Sequence, residues 1–378
     1  MEHRLTTGSI GRSLIAFSLP MILGNLLQQL YNVADTLIVG RTIGATALSA
    51  VGSSYALMVL LTSVILGLCM GSGVVFARLY GANQIDDMKT SIFNAVVFIM
   101  IVSLVINVLA FALLERLLVW LNIPQEAVAY TREYLKIVFA GMTFYNFFAS
   151  VLRSAGNTAV PLVFLGVAAV TNIVLDLVLI LNFNMGVAGA ALATVIAQAL
   201  SAVLITVYFF FRGRRLCPQR RHMRYSRRLL GLIIHNSTLT AVQQSIMNLG
   251  ILMVQGLVNS FGFAVSAAFA AVVKIDAFAY MPAQDFGNAF STFIAQNHGA
   301  GESERIRRGS VTAVKISVLF CLLASACVCA FARPLMHLFI NAEETRMIEI
   351  GVEYLRVEGA FYAGIGVLFL LYGFYRGL

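Results

Sequence analysis

Pro20-Met-Ile-Leu-Gly24-Asn25-Leu-Leu-Gln28-Gln29-Leu-Tyr-Asn32-Val-Ala-Asp35-Thr36 is the stretch on which the reading of this chain turns. It lies inside the first apolar segment, about residues 14–39, which at about 1.5 Å per residue is long enough to cross a bilayer core of about 30 Å. At about 100° per residue, Asn25, Gln28, Gln29, Asn32, Asp35 and Thr36 fall on one arc of roughly 120°, and Leu, Ile and Val take the other face. The segment is therefore a membrane helix with one wet stripe. A carboxylate at the centre of such a helix costs roughly 2.5–3.5 kcal/mol on insertion scales, so Asp35 calls for a purpose. Pro20 lacks an N–H and its ring crowds the preceding turn, which makes it a candidate bending point. The amides have a plainer reading as hydrogen-bonding glue between helices.

Outward from this helix the whole chain has the same character. Of its 378 residues 60% are hydrophobic and 11% charged, and the mean hydropathy is +0.87, more apolar surface than a water-soluble protein can cover. Further apolar runs at about 50–77, 91–114, 131–153, 160–181, 188–211, 231–260, 266–295, 310–331 and 350–374 predict about ten spans. The runs are continuous and do not alternate every second residue, so they are helices and not barrel strands. The first run is too long and too polar for a signal peptide, despite Ala45-Thr46-Ala47. Cys69, Cys217, Cys321, Cys327 and Cys329 have no metal-like spacing and read as small packing residues.

The net charge of +9 is topological. With the N-terminus inside, about 18 Lys and Arg fall on the cytoplasmic side against 7 outside, Lys274 lying within a span. That places the chain in the cell (cytoplasmic) membrane with a cytoplasmic N-terminus. A linker at 212–230 carries Arg212, Arg214, Arg215, Arg220, Arg221, Arg224, Arg227 and Arg228. It has no interleaved aromatics and no groove-reading pattern, which excludes a nucleic-acid partner and suits contact with lipid headgroups.

The text before the linker recurs after it at an offset of about 220 residues. Ala77-Arg-Leu-Tyr-Gly81-Ala82 matches Ala295-Gln-Asn-His-Gly299-Ala300, Ile43-Gly44 matches Phe261-Gly262, and Glu133-Tyr-Leu-Lys136 matches Glu353-Tyr-Leu-Arg356. Leu152-Arg153-Ser154 matches Tyr375-Arg376-Gly377. This is a duplication. An even number of spans in the first copy makes the copies parallel, related by an axis along the membrane normal. The expected fold is all-α: a polytopic membrane protein of two pseudo-symmetric helical lobes, six spans plus four of an expected six. Residues 1–211 form the N-terminal lobe, 212–230 the basic cytoplasmic linker and 231–378 an incomplete C-terminal lobe. The second copy stops where the first runs on through Gly156-Asn157-Thr158-Ala159-Val160-Pro161, so a C-terminal truncation is expected.

These residues resemble the multidrug and toxic compound extrusion (MATE) family. The resemblance rests on Pro20 followed by Asp35, on Gly40, Gly44 and Ala47-Leu-Ser-Ala-Val51, and on Gly71-Ser72-Gly73 with Gly81. It rests also on Arg153-Ser-Ala-Gly-Asn-Thr158 before Pro161 and on Asn172-Ile-Val-Leu-Asp176, and it covers essentially the whole chain. It implies a twelve-helix fold of two lobes that exports small molecules against a cation gradient. Carried over residue by residue, it implies a cation site at Asp35, Asn172, Asp176 and Thr194. The residues support the grouping independently. Counted from the span ends, Asp35, Asp176 and Thr194 all fall in the outer half of the bilayer, and Asn172 and Asp176 share a helix face. Two carboxylates with an amide and a hydroxyl suit a proton shared between the acids, or Na⁺ bound by both. No other cofactor is implied.

In the second lobe the position matching Asp35 is Met253, and the seventh span offers Gln244, Asn248, Gln255 and Asn259 without an acid. Glu358 stands near the outer end of the tenth span with no deeper acid on that span, which implies coupling through the N-lobe alone. The eighth span carries Lys274, Asp276, Pro282 and Asp285. A substrate cavity is expected around Asn25, Gln28, Gln29, Asn32, Gln244, Asn248, Gln255, Lys274 and Asp276, with Met281, Tyr280, Phe286 and Phe290 read as packing. The expected partners are a small-molecule substrate, cationic by complementarity with the acids, and the lipid bilayer, the chain acting as a monomer. The rivals are a lipid-linked precursor flippase, which a long cationic cavity would favour, a passive channel, and an intramembrane enzyme. For the enzyme no HExxH, GxSxG or paired metal-binding His is present, so no catalysis is expected.

Overall fold

The computed structural model describes residues 5–42, 45–116, 128–129, 132–133, 135, 144–213, 215–340 and 343–378; at 36–37, 40–42, 45–60, 144–145, 252, 259 and 263 only the backbone is described. Gly44, Tyr134, Lys136, Arg214 and most of the fourth expected span thus lie outside the described residues, as do the side chains of Thr36 and Asn259. Every long element described is a helix. In chain order they are α1 (Ile10–Thr42), α2 (Ala45–Gly81), α3 (Ile85–Ala112), α4 (Phe144–Ser154), α5 (Ala159–Leu177), α6 (Gly186–Phe211), α7 (Arg227–Asn259), α8 (Phe263–Gly299) and α9 (Ser303–Ala330). The short α10 (Ala332–His337) leads to α11 (Thr345–Ala360) and α12 (Tyr362–Gly377).

Among the described residues eight helices are long and apolar enough to cross a membrane, or nine if α11 and α12, which pass the test together and are bent by 50° at Phe361, count as one span. The tenth expected span, at 350–374, falls on this bent pair. The Ser325 hydroxyl of α9 donates to the Gly359 carbonyl at 2.5 Å. A side chain that takes a carbonyl out of the helical ladder is an ordinary cause of a kink. The outward faces are apolar and exposed, as at Leu104, Val170, Leu319 and Leu323, which is how a lipid-facing surface looks when every backbone group is satisfied within its own helix.

Local chemistry explains the joints. Pro161 sits in the first turn of α5, where a missing N–H is harmless, and Asn157 Oδ1 accepts from the Val160 N–H at 3.2 Å just ahead of it. Gly262, between α7 and α8, has φ +95°, which L side chains rarely adopt. The basic linker is docked on α3. His222 Nε2 and Arg221 Nη2 lie 2.9 and 3.2 Å from Asp86 Oδ1, and Asn94 Nδ2 donates to the Arg224 carbonyl at 3.1 Å.

The packing displays the duplication. α2 lies along α7 and also meets α8, while α1 lies between α5 and α8. Where α2 and α8 cross, Gly81 faces the Gln296 backbone and Gly299 faces the Arg78 backbone. Gly81 and Gly299 are 218 positions apart, and so are Arg78 and Gln296, so each copy presents to the other the glycine it receives. That reciprocity is the mark of a two-fold relation. α1 begins moored to the second half. Arg305 of α9 donates from Nε to the Leu5 carbonyl (3.1 Å), from Nη2 to Thr7 (2.9 Å) and from Nη1 to Gly8 (2.8 Å).

Candidate functional site

α1 passes unbroken through Pro20 and carries its wet stripe to two different places. Towards its far end Asp35 turns onto α5 and meets Asp176 carboxyl to carboxyl. Asp176 and Asn172, four residues apart on α5, are both buried, and Asn172 Nδ2 donates to Thr194 Oγ1 of α6 at 3.3 Å. Thr194 in turn donates to the Ala190 carbonyl at 3.1 Å. α5 ends one residue past Asp176 in a π-helical turn, Val178–Asn182, a local widening often found at functional sites. The four residues expected to gather do gather.

Asp35 Oδ1, both carboxylate oxygens of Asp176 and Asn172 Oδ1 are buried and lack a hydrogen-bond donor. Acceptors facing acceptors in a buried place are unfavourable unless a proton or a cation lies among them. The set is all hard oxygen, which fits H⁺ or Na⁺ and does not fit a soft transition metal. Beside it a cavity of about 30 Å³, lined by Tyr31, Asn172, Thr194, Gln198 and Ser201 among others, has room for water.

Nearer the start of α1, Asn25 and Gln28 line a larger chamber of about 170 Å³ between the halves. Asn25 Nδ2 donates to Asp285 Oδ1 of α8 at 2.5 Å. Arg153 from the end of α4 and Arg376 from the end of α12 also line it. Arg376 donates to Asn288 Oδ1 and to Gln243 Oε1, both at 3.0 Å. Ten residues separate Asn25 from Asp35, so the chamber and the acid pair lie about 15 Å apart along α1.

The other expected cavity residues are placed elsewhere. Asn32 Nδ2 donates to Gln29 Oε1 at 3.1 Å. Gln244 is buried and its carbonyl accepts from Asn248 Nδ2 at 3.0 Å, while Gln255 stands near the far end of α7; none of the three lines the chamber. Its neighbour Gln243, not singled out from the sequence, supplies the contact to Arg376. Lys274 is exposed on α8, which removes the buried lysine that the sequence implied. Asp276 is buried in the second half, where it accepts from the Tyr362 hydroxyl and touches Glu358 of α11, itself beside Tyr354. Glu358 thus does have an acidic companion, supplied by α8 and invisible along its own helix. Tyr280 stacks on Phe369, and Phe286 and Phe290 are packed in the core with Met21 and Phe17.

The arginines were missed as chamber residues because basic charges at span ends read as topological, and Asp285, noted on the eighth span, carried no sign along its own helix of the chamber it enters. A signal was present. The internal repeat aligns Arg153 with Arg376, the same residue type at the same place in both copies.

Two parallel copies of a helical unit, a polar chamber between them and buried acids on a helix that serves both define the architecture of a secondary transporter. The chain matches the MatE family over residues 20–178 and 240–378, and it belongs to that family. It is similar to the probable multidrug resistance protein YpnP of Bacillus subtilis, 32% identical over 99% of this chain and 84% of that one. It is also similar to an FAD transporter of Shewanella oneidensis, 23% identical over 98% of this chain and 82% of that one. Among solved structures, a MOP superfamily transporter from Pyrococcus furiosus superposes with a TM-score of 0.91 at 23% identity, covering 99% of this chain and 85% of that chain.

Proposed function

We propose that this protein is a cation-coupled antiporter that exports small organic molecules from the cytoplasm by alternating access, with Asp35 and Asp176 as the coupling site for H⁺ or Na⁺. One observation carries the reading. The two carboxyls meet in a buried place shared by α1 and α5, where three of their own oxygens and Asn172 Oδ1 have no donor. α1 extends from that site to the chamber, so ion occupancy near Asp35 and substrate occupancy near Asn25 act on one helix. By linkage each must then alter the affinity for the other. Pro20 leaves the Ala16 carbonyl without its usual partner and gives α1 a place to bend between states. The relatives named for multidrug resistance and for FAD support small organic cargo. The excess of Lys and Arg on the linker side supports a cytoplasmic N-terminus in the cell membrane. The protein is read as a transporter working as a monomer, with no catalytic step.

The test is transport in proteoliposomes under an imposed ΔpH without Na⁺, and under an imposed ΔNa⁺ at equal pH. One gradient is expected to drive export in the wild type, and Asp35→Asn and Asp176→Asn are expected to abolish the drive while leaving substrate binding in place. Gradient-driven export at the wild-type rate in either variant would remove the acid pair from the mechanism. The flippase reading draws on the arginines of the chamber, yet at about 170 Å³ the chamber is small for a lipid-linked saccharide.

A further inference from the structure

The chamber between the halves has a charge that neither the acid pair nor the coupling mechanism explains. Among the described residues its lining holds two guanidiniums, Arg153 and Arg376, and one carboxyl, Asp285. The chamber is therefore positive whichever protonation state Asp285 takes. Asp285 is occupied by Asn25, and Arg376 is held by the neutral amides of Asn288 and Gln243. The Nε–H groups of Arg153 and Arg376 are both buried and without an acceptor. A guanidinium drawn out of water needs an anion or a full set of acceptors. Arg376 has only the two neutral amides, and among the described residues the one carboxyl in electrostatic reach of Arg153 is Asp285, which Asn25 also holds. They are matched residues of the two copies, so each half delivers one arginine to the same chamber. The remaining wall is mixed: Met21, Leu66, Met70 and Leu165 give it an apolar, adaptable stretch, and Thr62, Asn146, Ser150 and Thr292 a polar one.

We propose that Arg153 and Arg376 form a binding site for the oxyanion of an amphiphilic organic substrate, a carboxylate or a phosphate, whose apolar part lies against the methionine and leucine wall. The planar guanidinium fork suits both groups, which accept two parallel N–H donors. Neutral amides behind Arg376 position it without cancelling its charge, and the amides of Asn25 and Gln28 remain to select polar substituents. This names the substrate class of the exporter proposed above and rests on that reading for the direction of transport. Binding to the chamber does not depend on it. The expected organic cation follows from acids about 15 Å away along α1, whereas the residues that face the chamber favour the opposite sign.

The experiment uses the full chain in lipid nanodiscs and three tritiated ligands with one ring system: 2-naphthoate, 2-naphthyl phosphate and 2-naphthylmethylammonium. Equilibrium binding is read by scintillation proximity, without a gradient. The wild type is expected to bind at least one anion tenfold or more tightly than the ammonium compound, and the better anion tells a carboxylate from a phosphate site. Arg153→Gln and Arg376→Gln are each expected to weaken that anion about tenfold or more, the usual consequence of losing a charge-assisted hydrogen bond. The Lys variants, which keep the charge and lose the fork, are expected to fall between. Preference for the ammonium ligand, or no anion binding to the wild type, overturns the proposal without any variant being needed. So does unchanged anion binding in both Gln variants, once elution and thermal unfolding show them folded. Asp35→Asn separates the two readings. Anion binding that survives while gradient drive is lost supports both; gradient-driven drug export with no anion binding leaves the antiporter and removes the oxyanion site.

Discussion

Replacing Gly299 by alanine tests whether the crossing of α2 and α8 is as close as the reciprocal contacts indicate. A Cβ at 299 would lie 2.8 Å from the Arg78 carbonyl carbon, 3.1 Å from the Ala82 nitrogen and nearer still to the Arg78 oxygen. Ordinary contact begins at about 3.4 Å, and the atoms in the way are backbone, so the helices must part by about an ångström. Overpacking of that kind costs about 1–3 kcal/mol, partly offset by the gain of up to about 1 kcal/mol for Gly→Ala in a helix. The net expectation is a loss of about 1–2 kcal/mol. Gly166→Ala is the control, since that glycine is also helical and nothing lies within 4 Å of its added Cβ; it should be neutral or stabilising. The assay is thermal unfolding of the purified protein in one detergent, with transport measured in parallel. Gly81→Ala meets the Gln296 backbone in the same way, and the double variant should lose less than the sum, because the first methyl has already separated the helices. A Gly299→Ala protein as stable as the Gly166→Ala control would refute the contact.

Asn25→Leu removes the donor to Asp285, whose Oδ2 is already unpartnered; a loss of about 1–3 kcal/mol is expected in the same unfolding assay, and no loss would show that Asp285 finds water instead. Tyr362→Phe deprives Asp276 of its hydroxyl donor next to the break at Phe361, so a loss of similar size, about 1–3 kcal/mol, is expected. Gradient-driven export near the wild-type rate in that variant would identify the Asp276–Glu358 contact as structural, and its abolition would identify it as part of coupling. Lys274→Met should change stability by less than about 0.5 kcal/mol and leave transport intact, because the side chain is exposed on α8; a transport defect would return Lys274 to the mechanism.

How much was legible depended on whether the information lay along one helix or between helices. Asp35 announced itself as a carboxylate within a span, and the depth of Asp176 and Thr194 followed from counting rise per residue. Those are properties of single helices under a membrane constraint, and the structure brings the two acids together. The companion of Glu358 comes from Asp276, 82 positions earlier on another helix, and no periodicity reports such a pairing. Gln244 and Gln243 show the same limit on a finer scale. Both are amides on α7, and which of them reaches Arg376 is set by how α7 is rotated against its neighbours. The arginines were masked by their own usefulness, for residues at span ends also satisfy the positive-inside bias. At the break at Phe361 a hydroxyl from α9 bonds the Gly359 carbonyl, a tertiary contact that the apolar run of residues 350–374 does not report.

The clasp that Arg305 places on the carbonyls of Leu5, Thr7 and Gly8 has a mechanical meaning. It makes α1 a rope with one end tied to the second half and its acidic end resting on α5 of the first. Under the proposed alternating access, any tilt of one half against the other is felt between those two moorings, with the acid pair near one of them and the chamber residues Asn25 and Gln28 in between.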